Sequence, residues 1–187
     1  MHSSCSELAG HHTSTGATLL VLGLDPGTAV TGFGVVRGEG ASSAVLVECG
    51  VIRTLPRHAL ADRLVELYDG VTELLERHRP DALSVESIFY ARNVRTTITL
   101  GHARGVMLLA GARAGIPIHE FPPAEIKKAI TGTGGATKEQ VQFMVKTLLR
   151  LKTVPTPNDA ADGVAAALTC LLMARTSAML AGAGQGR

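Results

Sequence analysis

The stretch Leu19–Val36 (LLVLGLDPGTAVTGFGVV) constrains the fold more than any other. Leu19 to Leu24 is apolar apart from Gly23, and the run ends at a single carboxylate, Asp25. Pro26 and Gly27 break the chain, and a second β-rich run follows from Thr31 to Val36. Short, nearly continuous apolar runs bounded by turn residues read as buried strands. Pro26 has no N–H for a ladder and Gly27 tolerates positive φ, so a tight turn between two adjacent antiparallel strands is expected. One carboxylate then stands at the end of a central strand, where the sheet stops and a ligand has access. Taken alone, Asp25 suits the simple opening of a turn equally well.

Changes of hydrophobic period mark the other elements. Residues 1–17 are rich in Ser, Thr, Gly and His without any period and read as a disordered N-terminal extension. Ser43–Thr54 alternates as a third strand. Within Arg57–His78, Leu60, Leu64, Leu67, Val71, Leu74 and Leu75 recur at spacings of three and four, an amphipathic helix that Pro80 stops. Ala82–Val85 is a short buried strand, and Glu86 is the first residue after it. A strand, a helix and a strand in succession imply a crossover and parallel pairing.

Asn93–Ala114 is helical in composition but carries Gly101, Gly105 and Gly111. Each costs up to about 1 kcal/mol relative to alanine, so close approach to a neighbouring element is a physical reason for them, and with its glycines exposed this helix is a candidate interface. Ile116–Phe121 is a fifth strand. Pro122–Pro123 opens a helix carrying Glu125, Lys127 and Lys128, the glycine loop Thr131–Thr137 is expected to be flexible, and another helix runs from Lys138 to Leu149. A last helix starts near Asn158, and residues 179–187 form a Gly- and Ala-rich flexible tail. The order βββαβαβααα points to an α/β domain over residues 18–178, a mixed five-stranded sheet flanked by helices on both faces.

Aromatic residues make up only 3% of the chain and tryptophan is absent, so the core must be aliphatic. The net charge of +2 decides little, but its distribution does more. From Ser87 to Lys152, ten Lys or Arg stand against three acids (Glu120, Glu125, Glu139), an excess of seven. That favours a polyanionic partner over a merely solvated basic face. Three cysteines without metal-ligand spacing suit a reducing compartment and no disulfide framework. The longest apolar run, Gly163–Ala174, is closed by Arg175 and is too short for a membrane span. No basic n-region precedes an apolar core at the N-terminus. A cytoplasmic protein with no membrane partner is the expectation.

The carboxylates can be read as one site. Asp25 and Glu86 each terminate an apolar strand, and the final helix opens Asn158-Asp159-Ala160-Ala161-Asp162. Asp159 and Asp162 are three apart and share a helical face. A first-turn carboxylate such as Asp159 is also explained by capping and the helix dipole. Asp162 borders the apolar run from Val164 to Met173, where an unpaired charge is costly. Four converging carboxylates would repel at about 4 kcal/mol per close pair at an effective dielectric of 20. They would take up protons unless a divalent metal compensated. An all-oxygen set selects Mg²⁺, with Mn²⁺ able to substitute, over zinc. Two such ions about 4 Å apart can activate a water and stabilise the leaving oxygen of a phosphodiester.

The motifs LGLDPGTAVTGFGVV, LSVESIFYARN, GHARGV and NDAADGVAAAL, in that order from about Thr18 to Leu172, resemble those of the RuvC family of bacterial Holliday-junction resolvases. The resemblance implies a ribonuclease-H-like fold, a homodimer, and Mg²⁺-dependent nuclease activity that makes paired nicks in opposite strands of a four-way DNA junction. It also implies partnership with the RuvA–RuvB branch-migration complex. The family's four acids fall on Asp25, Glu86, Asp159 and Asp162, all retained as catalytic and metal-binding types. Its junction-contacting aromatic falls on Phe89 and its two important lysines on Lys127 and Lys138. Arg92 and Asn93 suit phosphate contacts. Lys138 begins a helix, where the dipole already favours an anion. Tyr90 is read as core, and Lys128 as either a contact or a solvated charge. Residues 1–17 precede the usual start of the family.

Two rivals are weaker. An actin-like kinase or ATPase shares the Asp-x-Gly-Thr turn, but needs two such halves, and TGTGGATK lacks the spacing of a phosphate-binding P-loop. A non-catalytic junction-binding module would have no reason to keep four acids.

Overall fold

The structure is a computed structural model that describes residues 18–39, 43–87 and 94–184, with side chains as far as residue 178. Five strands, β1 (Leu20–Asp25), β2 (Val30–Glu39), β3 (Ser43–Arg53), β4 (Ala82–Glu86) and β5 (Ile118–Phe121), form one sheet in the order β3-β2-β1-β4-β5. β2 runs antiparallel to both neighbours, whereas β1, β4 and β5 are parallel. The helices are α1 (Leu60–His78), α2 (Val94–Arg113), α3 (Pro123–Thr131), α4 (Lys138–Leu148) and α5 (Asn158–Gly184). This is the mixed sheet that the element order implies.

Alternation along the strands sends side chains to two aliphatic cores. Leu22 and Leu24 of β1, with Val35, Leu83 and Val85, pack against Leu67, Val71 and Leu74 of α1 and Met107 of α2. Val21, Val36 and Ala82 turn to the opposite face, which α5 covers along Val164–Leu171, with α3 and α4 beside it. A helix apolar on all sides must be enclosed, and Val164–Leu171 of α5 is fully buried.

Close backbone contact holds α5 in place. A Cβ at Gly23 would fall 2.2 Å from Gly163 O, and one at Gly163 would fall 2.6 Å from Phe33 Cα. Ser84, buried on β4, donates to Ala166 O at 2.7 Å and fastens the same helix to the next strand. Gly163→Ala is therefore expected to push helix and sheet apart, lowering stability by about 1–3 kcal/mol in chemical denaturation. An unchanged midpoint would contradict this packing.

Two local expectations change. Gly27 does not adopt positive φ; among the described glycines only Gly115 and Gly132 do. Its requirement is steric, since a Cβ there would lie 1.9 Å from Val30 O. On α2 only Gly111 meets a close neighbour, Leu83 Cδ2 at 2.6 Å, while Gly101 and Gly105 have nothing within 4 Å. The glycine loop is tied at both ends. Gly132 closes α3 at φ 83°, and Thr137 caps α4 reciprocally with Gln140.

Candidate active site

Each strand-end acid is placed by the sheet itself. Leu24 of β1 lies opposite Val85 of β4, so Asp25 and Glu86 are the next residues at the same end of two parallel neighbours. The turn after Asp25 is latched from both sides. Thr31 Oγ1 donates to Gly27 O at 2.6 Å and accepts from Gly27 N–H at 3.3 Å. Thr54 Oγ1 donates to Thr28 O at 2.5 Å, and Thr54 N–H donates to Ala29 O. A Cβ on Gly32, the partner of Asp25 on β2, would fall 1.7 Å from Asp159 O. The absence of a side chain there lets the first turn of α5 reach the end of β1.

Carboxylate oxygens of Asp25, Asp159 and Asp162 consequently lie within 4.8 Å of one another. Glu86 stands outside that trio but is coupled to it by charge. Burial, then the charges of Glu86, Asp162 and Asp159, push the Asp25 carboxyl up from 3.8 to about 8. Burial and Asp162 push Glu86 up to about 7, against the pull of Lys138 and Lys127. Asp162 is raised by burial and held back by Lys138. The cluster is short of positive charge.

Among the described residues the cation at the cluster is Lys138, whose Nζ lies 2.6 Å from Asp162 Oδ2. The ammonium is held charged by that bond and by the charges of Asp162, Asp159 and Asp25. Sequence reasoning put Lys138 at the start of α4 but gave it a phosphate; the carboxylate partner is a long-range contact that spacing does not show. Lys127, half-buried on α3, bears on Glu86, whereas Lys128 is exposed. Phe89, Arg92, Asn93 and Tyr90 lie outside the described residues. The latch residues Thr31 and Thr54 were not foreseen as part of the site.

The donor set fits a hard divalent cation. It consists of oxygens only, from partly buried carboxylates, and burial together with neighbouring carboxylates raises the pKa of Asp25 and of Asp162. Among the described residues no histidine or cysteine joins the group, which argues against zinc.

A family model for crossover junction endodeoxyribonuclease RuvC matches residues 21–170. The chain belongs to the RuvC family. The crossover junction endodeoxyribonuclease RuvC of Pelotomaculum thermopropionicum is 50% identical over 150 residues, covering 80% of this chain and 91% of that protein. The RuvC of Rubrobacter xylanophilus is 49% identical over 159 residues, 85% of this chain and 88% of its own. Among solved structures, Thermus thermophilus RuvC in complex with a Holliday junction substrate matches with a TM-score of 0.81 and 38% identity. That match covers 86% of this chain and 97% of the other. The yeast mitochondrial Holliday junction resolvase, at 12% identity and a TM-score of 0.64, shares the fold. The ribonuclease-H-like architecture expected from the RuvC motifs is thus the architecture present.

Proposed function

We propose that this chain is a Mg²⁺-dependent endodeoxyribonuclease that resolves four-way DNA junctions by paired nicks on opposite strands, in recombination and repair. The carrying observation is the trio of carboxylates gathered at the end of β1 in a member of the RuvC family. Asp25, Asp159 and Asp162, with Glu86 beside them, would hold the metal, two ions per site, with Mn²⁺ able to substitute. Bound there, divalent ions supply the charge that the cluster lacks and the means to acidify a water. Asp25 stays fixed by the latched turn, so little reorganisation is needed when the phosphodiester arrives. Lys127 offsets the charge of Glu86, and Lys138 stands at the mouth of the cluster, where a scissile or neighbouring phosphate would meet it. Phe89, Arg92 and Asn93 are assigned to the junction on the family motif.

A labelled mobile junction and a linear duplex, each incubated with Mg²⁺ or Ca²⁺, test this reading. Symmetric nicks in the junction with Mg²⁺ only are expected. ATP hydrolysis without DNA, or junction binding with no nicking in Mg²⁺, would overturn it. Lys127→Ala should slow nicking and flatten the salt dependence of binding by about one unit of slope. An unchanged rate and slope would return Lys127 to an ordinary surface charge.

Paired nicking calls for two active sites, and α2 supports a homodimer. Val94, Ile98 and Leu109 are 62%, 56% and 53% exposed, and with Gly101 and Gly105 they form one stripe at spacings of four and three. A two-fold axis would lay this stripe on its copy. Gly101→Arg should yield monomers in sedimentation and leave unpaired nicks; a persistent dimer would exclude this face. The proposed partnership with RuvA–RuvB rests on family membership. The setting we assign is the cytoplasm, and among the described residues no helix is long and apolar enough to cross a membrane.

A further inference from the structure

Phe143 is 63% exposed, the most exposed large apolar side chain among the described residues. It lines a groove of about 410 Å³ with Thr131, Thr133, Glu139, Gln140 and Met144. Positions 139, 140, 143 and 144 share one face of α4, and the two threonines close the groove from the α3–α4 loop. Its walls are set by bonds within the hairpin. Gln140 Oε1 accepts from Thr137 N–H at 2.8 Å, which leaves the amide NH₂ as the group it can offer a ligand. Thr131 Oγ1 donates to Lys127 O at 2.8 Å and accepts from Thr133 N–H. The Glu139 carboxylate is engaged by its own backbone N–H and by the Thr137 hydroxyl, at the N-terminus of α4.

The surroundings favour a polyanion. From Pro123 to Lys152 there are six Lys or Arg (Lys127, Lys128, Lys138, Lys146, Arg150, Lys152) and two acids, Glu125 and Glu139. Lys146 lies one turn from Phe143 on the same helix. Residues adjacent in the chain link the groove to the site. Gly134, next to Thr133, lines a second groove of about 300 Å³ with Lys127 and the Pro122–Pro123 pair, and Lys138, next to Glu139, is bonded to Asp162. A strand lying along the acid cluster can therefore continue over α4.

We propose that this groove seats an unstacked nucleobase of the bound DNA, stacked on the Phe143 ring, with Lys146 at a flanking phosphate. An aromatic face accepts any base, and a cation nearby holds the backbone, the usual pairing in proteins that bind unpaired strands. The inference rests on the nuclease reading of the acid cluster.

Fluorescence anisotropy with a labelled four-way junction in Ca²⁺ tests it, using Phe143→Ala, Phe143→Leu and Phe143→Trp. Ala and Leu should each weaken binding about tenfold, while Trp stays within about twofold of wild type. The salt slope and the thermal midpoint should not move, because the ring carries no charge and little of it is packed. Wild-type affinity in the Ala variant, or rescue by Leu as complete as by Trp, would overturn the base seat and leave an apolar docking face for another molecule. A wild-type chain that nicks junctions in Mg²⁺ while Ala binds normally would sink the base seat alone. A wild-type chain that neither binds nor nicks would sink the nuclease reading with it.

Discussion

Asp25→Asn is expected to reduce junction nicking in Mg²⁺ by a factor on the order of 10³ or more, with metal-free junction binding at pH 7 little changed. The two halves have separate causes. Asn has one fewer anionic oxygen to give a divalent ion, at the one carboxylate that the sheet, the Thr31 latch and the Thr54 latch all hold in place. Without metal, the Asp25 carboxyl titrates near 8, so at pH 7 it is largely protonated and Asn is close to an isostere of it. Quenched cleavage assays beside anisotropy measure both. Residual nicking within about tenfold of wild type would remove Asp25 from the metal set.

Metal-free stability should fall as pH rises. Asp25 and Glu86 have native pKa values of about 8 and about 7, raised from 3.8 and 4.5. Between pH 4 and pH 8 the native state thus holds protons that the unfolded chain has released, and stability declines with pH. The stabilising protonated form is fully present below the unfolded pKa and is lost as pH climbs through the native one. The combined loss is on the order of several kcal/mol. Mg²⁺ should reverse it, by about 2.7 kcal/mol when the ion is at 100 times its Kd. Urea unfolding at pH 5, 7 and 9, with EDTA and with Mg²⁺, checks this. In Asp25→Asn the decline should be much shallower and the Mg²⁺ gain small. An identical pH profile in the two proteins would show that the strain lies elsewhere.

What was legible in the sequence was mostly local. The Asp25-Pro26-Gly27 turn, the strand-ending Glu86 and the Asp159/Asp162 spacing are each written within a few residues. The crossover from β3 through α1 to β4 was legible too, but not that β4 would pair with β1 and leave β3 at the sheet edge. Convergence was less legible, because it depends on contact between distant glycines and backbone: Gly32 against Asp159, Gly23 and Gly163 across the α5 interface. The glycines in β2 and α5 were a usable signal for that approach. Lys138 was placed on the correct helix, but its ion pair with Asp162 joins residues 24 apart, which no period reveals. Phe143 went unremarked because α4 carries apolar residues on more than one face, and only packing separates buried Val141 and Val145 from exposed Phe143. Gly101 and Gly105 mark the limit of the glycine signal within the chain. Glycine in a helix suggests close packing, yet both face open space on the stripe now assigned to a second copy.

The metal assignment can be tested most directly by the anomalous difference map of a crystal soaked in Mn²⁺, compared with one of Asp162→Asn. A peak bounded by Asp25, Asp159 and Asp162 in the wild type, reduced or absent in the variant, is expected. An empty cluster in the wild type, or a peak of equal height in both crystals, would contradict a metal-dependent active site at the end of β1.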